Sequence, residues 1–170
     1  MNLDEILTQV PIDDIAQRFG VSHEVARQAV REGGATLLGG LSKNAETAGG
    51  SAAIEKALQR HGGSAGAQKV DDVDEADGEK IVKHVLGDRK GEVTEKLNTS
   101  EKTAGGIDFG KLLPILAPII MGILANRTKK GGGGGLSDIL GGLLGGSGGS
   151  SSGGLGGLGD VLGGLFGGRR

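Results

Sequence analysis

The sequence predicts an all-α protein: a small multi-helix bundle around a central apolar, proline-kinked helix, with a disordered glycine-rich C-terminal tail. Three observations predict this class. Apolar residues recur at helical spacing through residues 3–97, one dense apolar run occupies residues 112–125, and 20 of the 37 glycines lie in residues 131–170. A segment so rich in glycine has too little apolar surface to offset the entropy of ordering its backbone. We therefore predict a helical domain at 1–126 and a flexible tail at 127–170.

The N-terminal part is predicted to hold three helices. The first ends at Pro11, which has no N–H to continue a helix. The second spans Ile12 to Phe19 and stops at Gly20, because glycine readily takes the left-handed conformation found at helix ends. Ser22 caps the third helix, and Gly33-Gly34 is expected to be a hinge. The buried stripe of the third helix comprises Val25, Ala26, Ala29 and Val30.

Two further short helices are predicted after this hinge. Residues 35–41 form the first, and its Gly39-Gly40 pair permits either the close approach of a neighbouring helix or a local break. The second begins after Ser51 and ends at His61. Residues 62–76 are predicted to be a loop, because they are rich first in glycine and then in aspartate.

A pair of helices is predicted in residues 77–97. Asp77 caps the first, which runs from Gly78 to Leu86. The second is more polar and occupies residues 88–97. Two ion pairs one helical turn apart are expected on these helices, Glu79 with Lys83 and Glu92 with Lys96.

The apolar run Leu112–Ala125 leaves no polar face on a helix, which indicates burial on all sides. Its 14 residues would extend about 21 Å as a helix, whereas a bilayer span needs about 20 residues. Asp108 is predicted to cap the entry to it. Pro114 and Pro118 lie one turn apart, and Pro118 is expected to kink the helix because it removes a backbone hydrogen bond. We predict a buried central helix, with peripheral membrane association through this run or the tail as an alternative.

The tail contains a repeat. Residues 136–146 return as residues 158–168, 22 positions later. The apolar residues of each copy fall on one helical face, and they are Leu136, Ile139, Leu140, Leu143 and Leu144, then Leu158, Val161, Leu162, Leu165 and Phe166. We interpret each copy as a helix that forms only when a partner, another copy or a surface covers that face. The alternative is a flexible low-complexity segment.

Residue patterns that support catalysis or cofactor binding are absent from the sequence. The chain has no cysteine, no nucleophile elbow and no phosphate-binding loop motif, so we predict that it is not an enzyme and has no cofactor. The candidate metal ligands are His61, His84, Asp71, Asp72, Asp74 and Asp77. Their spacing matches no closed ligand set, and no metal site is predicted. The N-terminus resembles no secretory signal, and a cytoplasmic location is expected.

Residues 12–31 point to nucleic-acid binding as one alternative. Gly20 and Ser22 stand at the turn positions of a helix-turn-helix. The helix after the turn presents three side chains that could contact DNA, Arg27, Gln28 and Arg31. Asp13 and Asp14 on the preceding helix would repel phosphates, which weakens this interpretation.

Three segments in order resemble one bacterial family. The first, residues 37–45, is similar to a Leu-x-x-Leu-x-x-Asn-Ala segment, and the last, residues 112–121, is similar to a Leu-Leu-Pro-x-Leu-Ala-Pro helix. Between them, an Asp-Gly-x-x-Ile-x-x-His-x-x-Gly pattern is matched by Asp77, Gly78, Ile81, His84 and Gly87. Together they resemble the bacterial domain-of-unknown-function family 937, the YidB-like proteins. The resemblance implies a helical protein without an established activity, with Asp77 as a helix cap and His84 beside C-terminal carbonyls.

The function expected from these observations is that of a non-enzymatic interaction or scaffold protein. Its tail would self-associate or bind a protein partner that the sequence does not identify. DNA binding through residues 12–31 and membrane association through residues 112–125 or the tail are the alternatives.

Overall fold

The computed structural model describes residues 3–62, 69–100 and 106–130. These residues form seven α-helices and two short 3-10 turns, and no strand occurs among them. The helices are α1 (Leu3–Leu7), α2 (Ile12–Phe19), α3 (His23–Ala45), α4 (Ala48–His61), α5 (Glu75–Leu86), α6 (Lys90–Asn98) and α7 (Phe109–Lys130), and the 3-10 turns are Val70–Asp72 and Gly87–Arg89. The predicted all-α class is confirmed.

Helix α7 is the axis of the bundle. Every residue from Leu112 to Ala125 is buried, and α3, α4, α5 and α6 all pack against this helix. Asp108 caps its start, because the Gly110 N–H donates to Asp108 Oδ1 at 2.8 Å. The predicted central helix and its cap are therefore confirmed. The helix runs on to Lys130, with both prolines inside it, and the kink at Pro118 stays a prediction.

Helices α2 and α3 follow local signals in the sequence, whereas α1 ends at Leu7, before the end predicted at Pro11. Helix α2 has the predicted bounds, and Gly20 ends it with φ 65° and ψ 35°, in the left-handed region. Ser22 caps α3 through a 3.3 Å hydrogen bond from the Val25 N–H to the Ser22 hydroxyl. Three of the four predicted stripe residues are buried, and Val25 is half-buried. Both helix boundaries therefore lie where the capping residues predict them.

The predicted hinge at Gly33-Gly34 is wrong, because α3 continues through it as one helix of 23 residues. The glycines mark close packing instead. A Cβ added to Gly33 would lie 3.0 Å from Leu116 Cδ1, and one added to Gly40 would lie 2.5 Å from Val85 Cγ1. The cost of glycine in a helix interior, about 1 kcal/mol each, is offset here by the approach of α5 and α7. The separate helix predicted at 35–41 is part of α3.

Helix α4 begins earlier than the predicted start after Ser51. Its first residue is Ala48, and the Gly50 N–H donates to the Thr47 hydroxyl at 3.1 Å, so Thr47 is the cap. Gly50 is required by packing, since a Cβ there would lie 2.0 Å from the Asn44 carbonyl oxygen. The chain turns from α3 into α4 within a few residues because this glycine permits the approach.

Helix α5 also begins earlier than predicted. Its cap is Asp74, whose Oδ1 accepts from the Asp77 N–H at 3.1 Å, so the prediction that Asp77 caps the helix is wrong. Glu79 pairs with Lys90 and not with Lys83. The more polar helix α6 starts at Lys90 after the 3-10 turn at Gly87–Arg89. Its expected ion pair is confirmed, with 3.2 Å between Lys96 Nζ and Glu92 Oε1.

The predictions for the tail concern residues that the structure does not describe. The repeats at 136–146 and 158–168 both lie outside the described ranges. The same applies to 63–68 within the predicted loop.

Candidate functional site

The three resembling segments meet where α5 packs against α3 and α7. Residues 77–87 belong to α5 and the turn after it, residues 37–45 close α3, and residues 112–121 form the first half of α7. The sequence order of the segments thus becomes a contact between three helices.

Gly78 sits directly against the backbone of α7. A Cβ added to it would lie 1.7 Å from the Pro114 carbonyl oxygen and 2.7 Å from the carbonyl carbon. In a regular helix that oxygen accepts from the residue four positions later, which here is Pro118 and has no N–H. Gly78 has a hydrogen where other residues have a side chain, and this hydrogen points at the Pro114 oxygen, which has no helical donor. The result is a weak Cα–H···O contact. Gly78, Pro114 and Pro118 therefore all contribute to one contact between α5 and α7.

Asp77 joins the start of α5 to the end of α4. His61 Nε2 and Asp77 Oδ2 are 2.9 Å apart, and the two side chains are 16% and 34% exposed. Lys129 Nζ donates to the Gly62 carbonyl at 2.8 Å and brings the end of α7 to the same place. The role that the resemblance implied for Asp77, a helix cap, is thus replaced by a side-chain contact between helices.

Asn44 joins the C-terminal ends of α3 and α5. Its Nδ2 donates to the Gly40 carbonyl and to the Val85 carbonyl, both at 2.9 Å. Gly40 itself lies against Val85, so the amide spans two helices that are already in close contact. The arrangement fastens the last turns of the two helices to each other through one side-chain amide.

Ile81 and Gly87 also have structural roles. Ile81 is half-buried and packs against the core. Gly87 has φ 57° and ψ −138°, a conformation that L side chains rarely adopt. It ends α5 and turns the chain toward α6.

His84 differs from the other motif residues because it is exposed. It forms no hydrogen bond or ion pair with any residue in the described part of the chain. The imidazole lines an open cleft of about 230 Å³ between the ends of α3 and α5. Lys43 and Arg89 line the same cleft, together with Asn44 and Thr47. Sequence reasoning missed Lys43 and Arg89, because no local pattern places residues so far apart in the chain on one cleft.

A second open cleft, of about 580 Å³, lies between α6 and the start of α7. Glu79 and Lys90, which pair with each other, line it together with Thr94 and Asn98. Asn98 Oδ1 already accepts from the Phe109 N–H at 2.8 Å. The cleft therefore combines opposite charges with occupied polar groups and favours no one class of ligand.

The three predicted DNA-contacting residues differ in their exposure and in their contacts within the protein. Helices α2 and α3 do form a helix-turn-helix arrangement, and Arg27 is exposed on α3. Gln28 donates to the buried Glu32 at 3.1 Å, and Arg31 is 3.8 Å from Asp4. Two of the three side chains therefore have partners within the protein. The nearby acidic residues Asp13, Asp14 and Glu24 surround the turn in sequence.

Four of the six candidate metal ligands, His61, Asp71, Asp74 and Asp77, take part in separate contacts. Within the described ranges, no group of three or more His, Cys, Asp or Glu side chains could hold a metal ion. Asp71 is 3.3 Å from Arg18 Nη1, and Glu75 pairs with the same guanidinium. Asp74 caps α5, as described above. The acidic stretch thus serves to fasten the start of α5 to α2.

Helix α7 is the one described helix that is long and apolar enough to cross a membrane by length and composition. Its most apolar 18-residue window has a mean hydropathy of 1.7, and 83% of that window is buried inside the bundle. A mostly buried core helix satisfies the same criteria, so this observation is weak evidence for a membrane span. The ten predicted interaction residues of the tail lie outside the described ranges.

Comparison with known proteins supports the resemblance. The family model described as "Bacterial protein of unknown function (DUF937)" matches residues 2–127. No curated protein and no solved structure matches this chain. The matched residues include all three segments that meet at α5. The chain belongs to the bacterial family DUF937.

Proposed function

We propose that this protein is a non-enzymatic interaction or scaffold module of the bacterial cytoplasm that acts through its C-terminal segment. The contacts would be made by the repeats at 136–146 and 158–168, either with each other in separate copies of the chain or with a protein partner. The helical domain would anchor and present them.

One observation carries this proposal. The apolar helix α7 is covered by its own domain up to Ala125, so the domain has already buried its longest apolar segment. The repeats that follow still carry apolar residues at i, i+3, i+4, i+7 and i+8, with no apolar helix left nearby in sequence to cover them. Segments of this length and glycine content do not form stable helices alone. A partner surface supplies the missing burial.

Two copies of the unit in one chain strengthen such a contact. Once the first unit binds, the second is held at a high local concentration and adds affinity without new contacts. Residues 111–170 carry six basic residues against two acidic ones, which favours a surface with negative charge. Both properties suit a scaffold better than a site for chemistry.

The test replaces Ile139, Leu143, Val161 and Leu165 together with serine in the full chain. Sedimentation velocity over a range of concentrations then measures self-association. We expect the association to weaken by more than about tenfold, because covering one such side chain contributes about 1.5 kcal/mol or more. A partner that binds through the tail is measured in the same way, by its recovery with tagged protein.

The matched control replaces Gly142, Gly146, Gly164 and Gly168 with serine. It changes as many tail positions but leaves the apolar face intact, so association should be retained. The proposal is refuted if the apolar replacements leave both the mass distribution and partner recovery the same as in the control.

A further inference from the structure

Helix α1 and the turn after it, residues 3–10, fill a groove on the bundle. A Cβ added to Gly34 of α3 would lie 3.7 Å from Leu7 Cδ2 and 3.8 Å from Ile120 Cδ1, so α3 and α7 form the floor of this groove. Four apolar side chains of the segment enter it at the spacing i, i+3, i+4 and i+7, and they are Leu3, Ile6, Leu7 and Val10. Each of the four is at most 7% exposed. We call this site the α1 groove.

Both tail repeats have the same arrangement of residues as the segment that fills the α1 groove. Residues 3–10 are Leu-Asp-Glu-Ile-Leu-Thr-Gln-Val, residues 136–143 are Leu-Ser-Asp-Ile-Leu-Gly-Gly-Leu, and residues 158–165 are Leu-Gly-Asp-Val-Leu-Gly-Gly-Leu. The four apolar positions coincide in all three segments, and the residue before the second of them is always acidic. We propose that the α1 groove binds a tail repeat of a second copy of this chain.

This inference rests on the proposed function, and it names the partner of the repeats. A repeat that takes the place of α1 would bury four apolar side chains at positions where the domain already buries four. Its acidic residue would take the place of Glu5, whose carboxylate oxygen lies 4.0 Å from Arg127 Nη2. The groove therefore fits the repeats in the spacing of apolar residues and in charge.

Helix α1 is suited to exchange. It has five residues, too few for a helix that is stable alone. Its ion pairs, Asp4 with Arg31 at 3.8 Å and Glu5 with Arg127 at 4.0 Å, join side chains at least 35% exposed and contribute little. The repeats have glycines where this segment has the exposed residues Thr8 and Gln9, so they are poorer helix formers. In its own domain α1 is therefore preferred, and a repeat enters when α1 opens locally.

The number of repeats favours binding between copies. Each chain has two repeats and one α1 groove, so its own groove cannot hold both. At least one repeat of every chain remains available to the α1 groove of a second copy. Chains that exchange repeats in this way hold each other by more than one contact, which strengthens the association.

The test fixes α1 in its groove and measures self-association of the full chain. The native chain has no cysteine, so Glu5→Cys with Arg127→Cys introduces its only two thiols, at exposed positions that face each other. A short bifunctional maleimide joins them at low protein concentration, and the same variant capped with a monofunctional maleimide is the matched control. In sedimentation velocity the cross-linked chain should associate at least about tenfold more weakly than the capped chain, because the site that buries four apolar side chains can no longer open.

A second variant opens the groove instead. Ile6→Ser removes a fully buried side chain of α1, and it should strengthen self-association about tenfold because α1 then competes less well. Adding Ile139→Ser, Leu140→Ser, Val161→Ser and Leu162→Ser should abolish that gain. Circular dichroism verifies that the domain is still helical, and if Ile6→Ser unfolds it, the cross-linked chain alone decides.

Several results would overturn the inference. One is equal association of the cross-linked and capped chains, and another is no association of the capped chain. Stronger association of the cross-linked chain would mean that α1 competes with a repeat of its own chain. A gain in Ile6→Ser that persists without the apolar repeat residues would show non-specific aggregation. The proposed function fails by a different result, when the apolar tail replacements leave the native chain unchanged in both mass distribution and partner recovery.

Discussion

Gly78→Ala tests the contact that holds α5 against α7. The new methyl group would lie 1.7 Å from the Pro114 carbonyl oxygen, whereas ordinary contact begins at 3.4 Å. The obstacle is backbone in the middle of a buried helix, so no side chain can rotate to make room. Helix α5 would have to move away from α7 by more than a full ångström.

The magnitude follows from what that movement separates. Val82, Val85 and Leu86 of α5 are buried, and a radial gap of about 0.5–1 Å already forfeits a quarter to a half of the dispersion attraction across it. Overpacking of this kind costs about 1–3 kcal/mol and occasionally more. Alanine gains about 1 kcal/mol over glycine in a helix interior, which acts in the opposite direction. We expect a net loss of about 2 kcal/mol or more in the free energy of unfolding.

Urea denaturation followed by circular dichroism measures this loss. The matched control is Gly91→Ala in α6, where a new Cβ meets no atom within 4 Å. Both changes have the same effect on the unfolded chain, so the difference between them reports the folded state. We expect the control to be stabilised by a few tenths to 1 kcal/mol. If Gly78→Ala is as stable as the native chain, the assigned contact between Gly78 and Pro114 is incorrect.

The remaining predictions concern other contacts of the same bundle. A double-mutant cycle of His61→Ala and Asp77→Asn, followed by thermal unfolding, should give a coupling of about 1 kcal/mol, because the pair is mostly shielded from water; additive changes would contradict the contact between the two side chains. Asn44→Ala should cost about 1–3 kcal/mol in urea denaturation, since it removes both hydrogen bonds of the side-chain amide that fastens α3 to α5; no change would mean that water replaces the amide. If the protein binds DNA, Arg27→Ala should weaken a gel shift more than Arg31→Ala, because Arg31 already faces Asp4; no shift at low salt would rule the alternative out.

The fold could be predicted where the signals are local. Gly20 and Ser22 fix the end of α2 and the start of α3 by their own conformation and side chain, and both boundaries agree with the structure. The apolar run of α7 has no polar face, and its burial follows directly. These signals need no knowledge of the neighbouring helices.

The errors arose where tertiary contacts decide between local alternatives. Glycine has a low helix propensity, so Gly33 and Gly40 could each have marked a helix break. Only their contacts with the side chains of Leu116 and Val85 show that they are points of close packing. Asp74 and Asp77 can both cap a helix. Asp77 has a partner in His61 from another helix, and this contact has no trace in the spacing of the sequence.

The site could be predicted only in part, for a related reason. The motif around His84 was visible in sequence, but its cleft depends on residues from α3 and from the turn after α5. Lys43 and Arg89 are basic residues that no local sequence pattern marks as part of a site. They line one cleft only because Gly40 lets the two helices approach.

The family motif contains residues that the fold requires and one exposed residue that it does not, and stability measurements can separate the two. Gly78 and Gly87 are required by the backbone, and Asp77 by a contact between helices, so changing them should lower stability. His84 is exposed and has no partner among the described residues, so His84→Gln should leave the free energy of unfolding almost unchanged. Stability would then depend on the two glycines and on Asp77 and not on the exposed His84, so the residues of one motif would differ in whether the fold requires them.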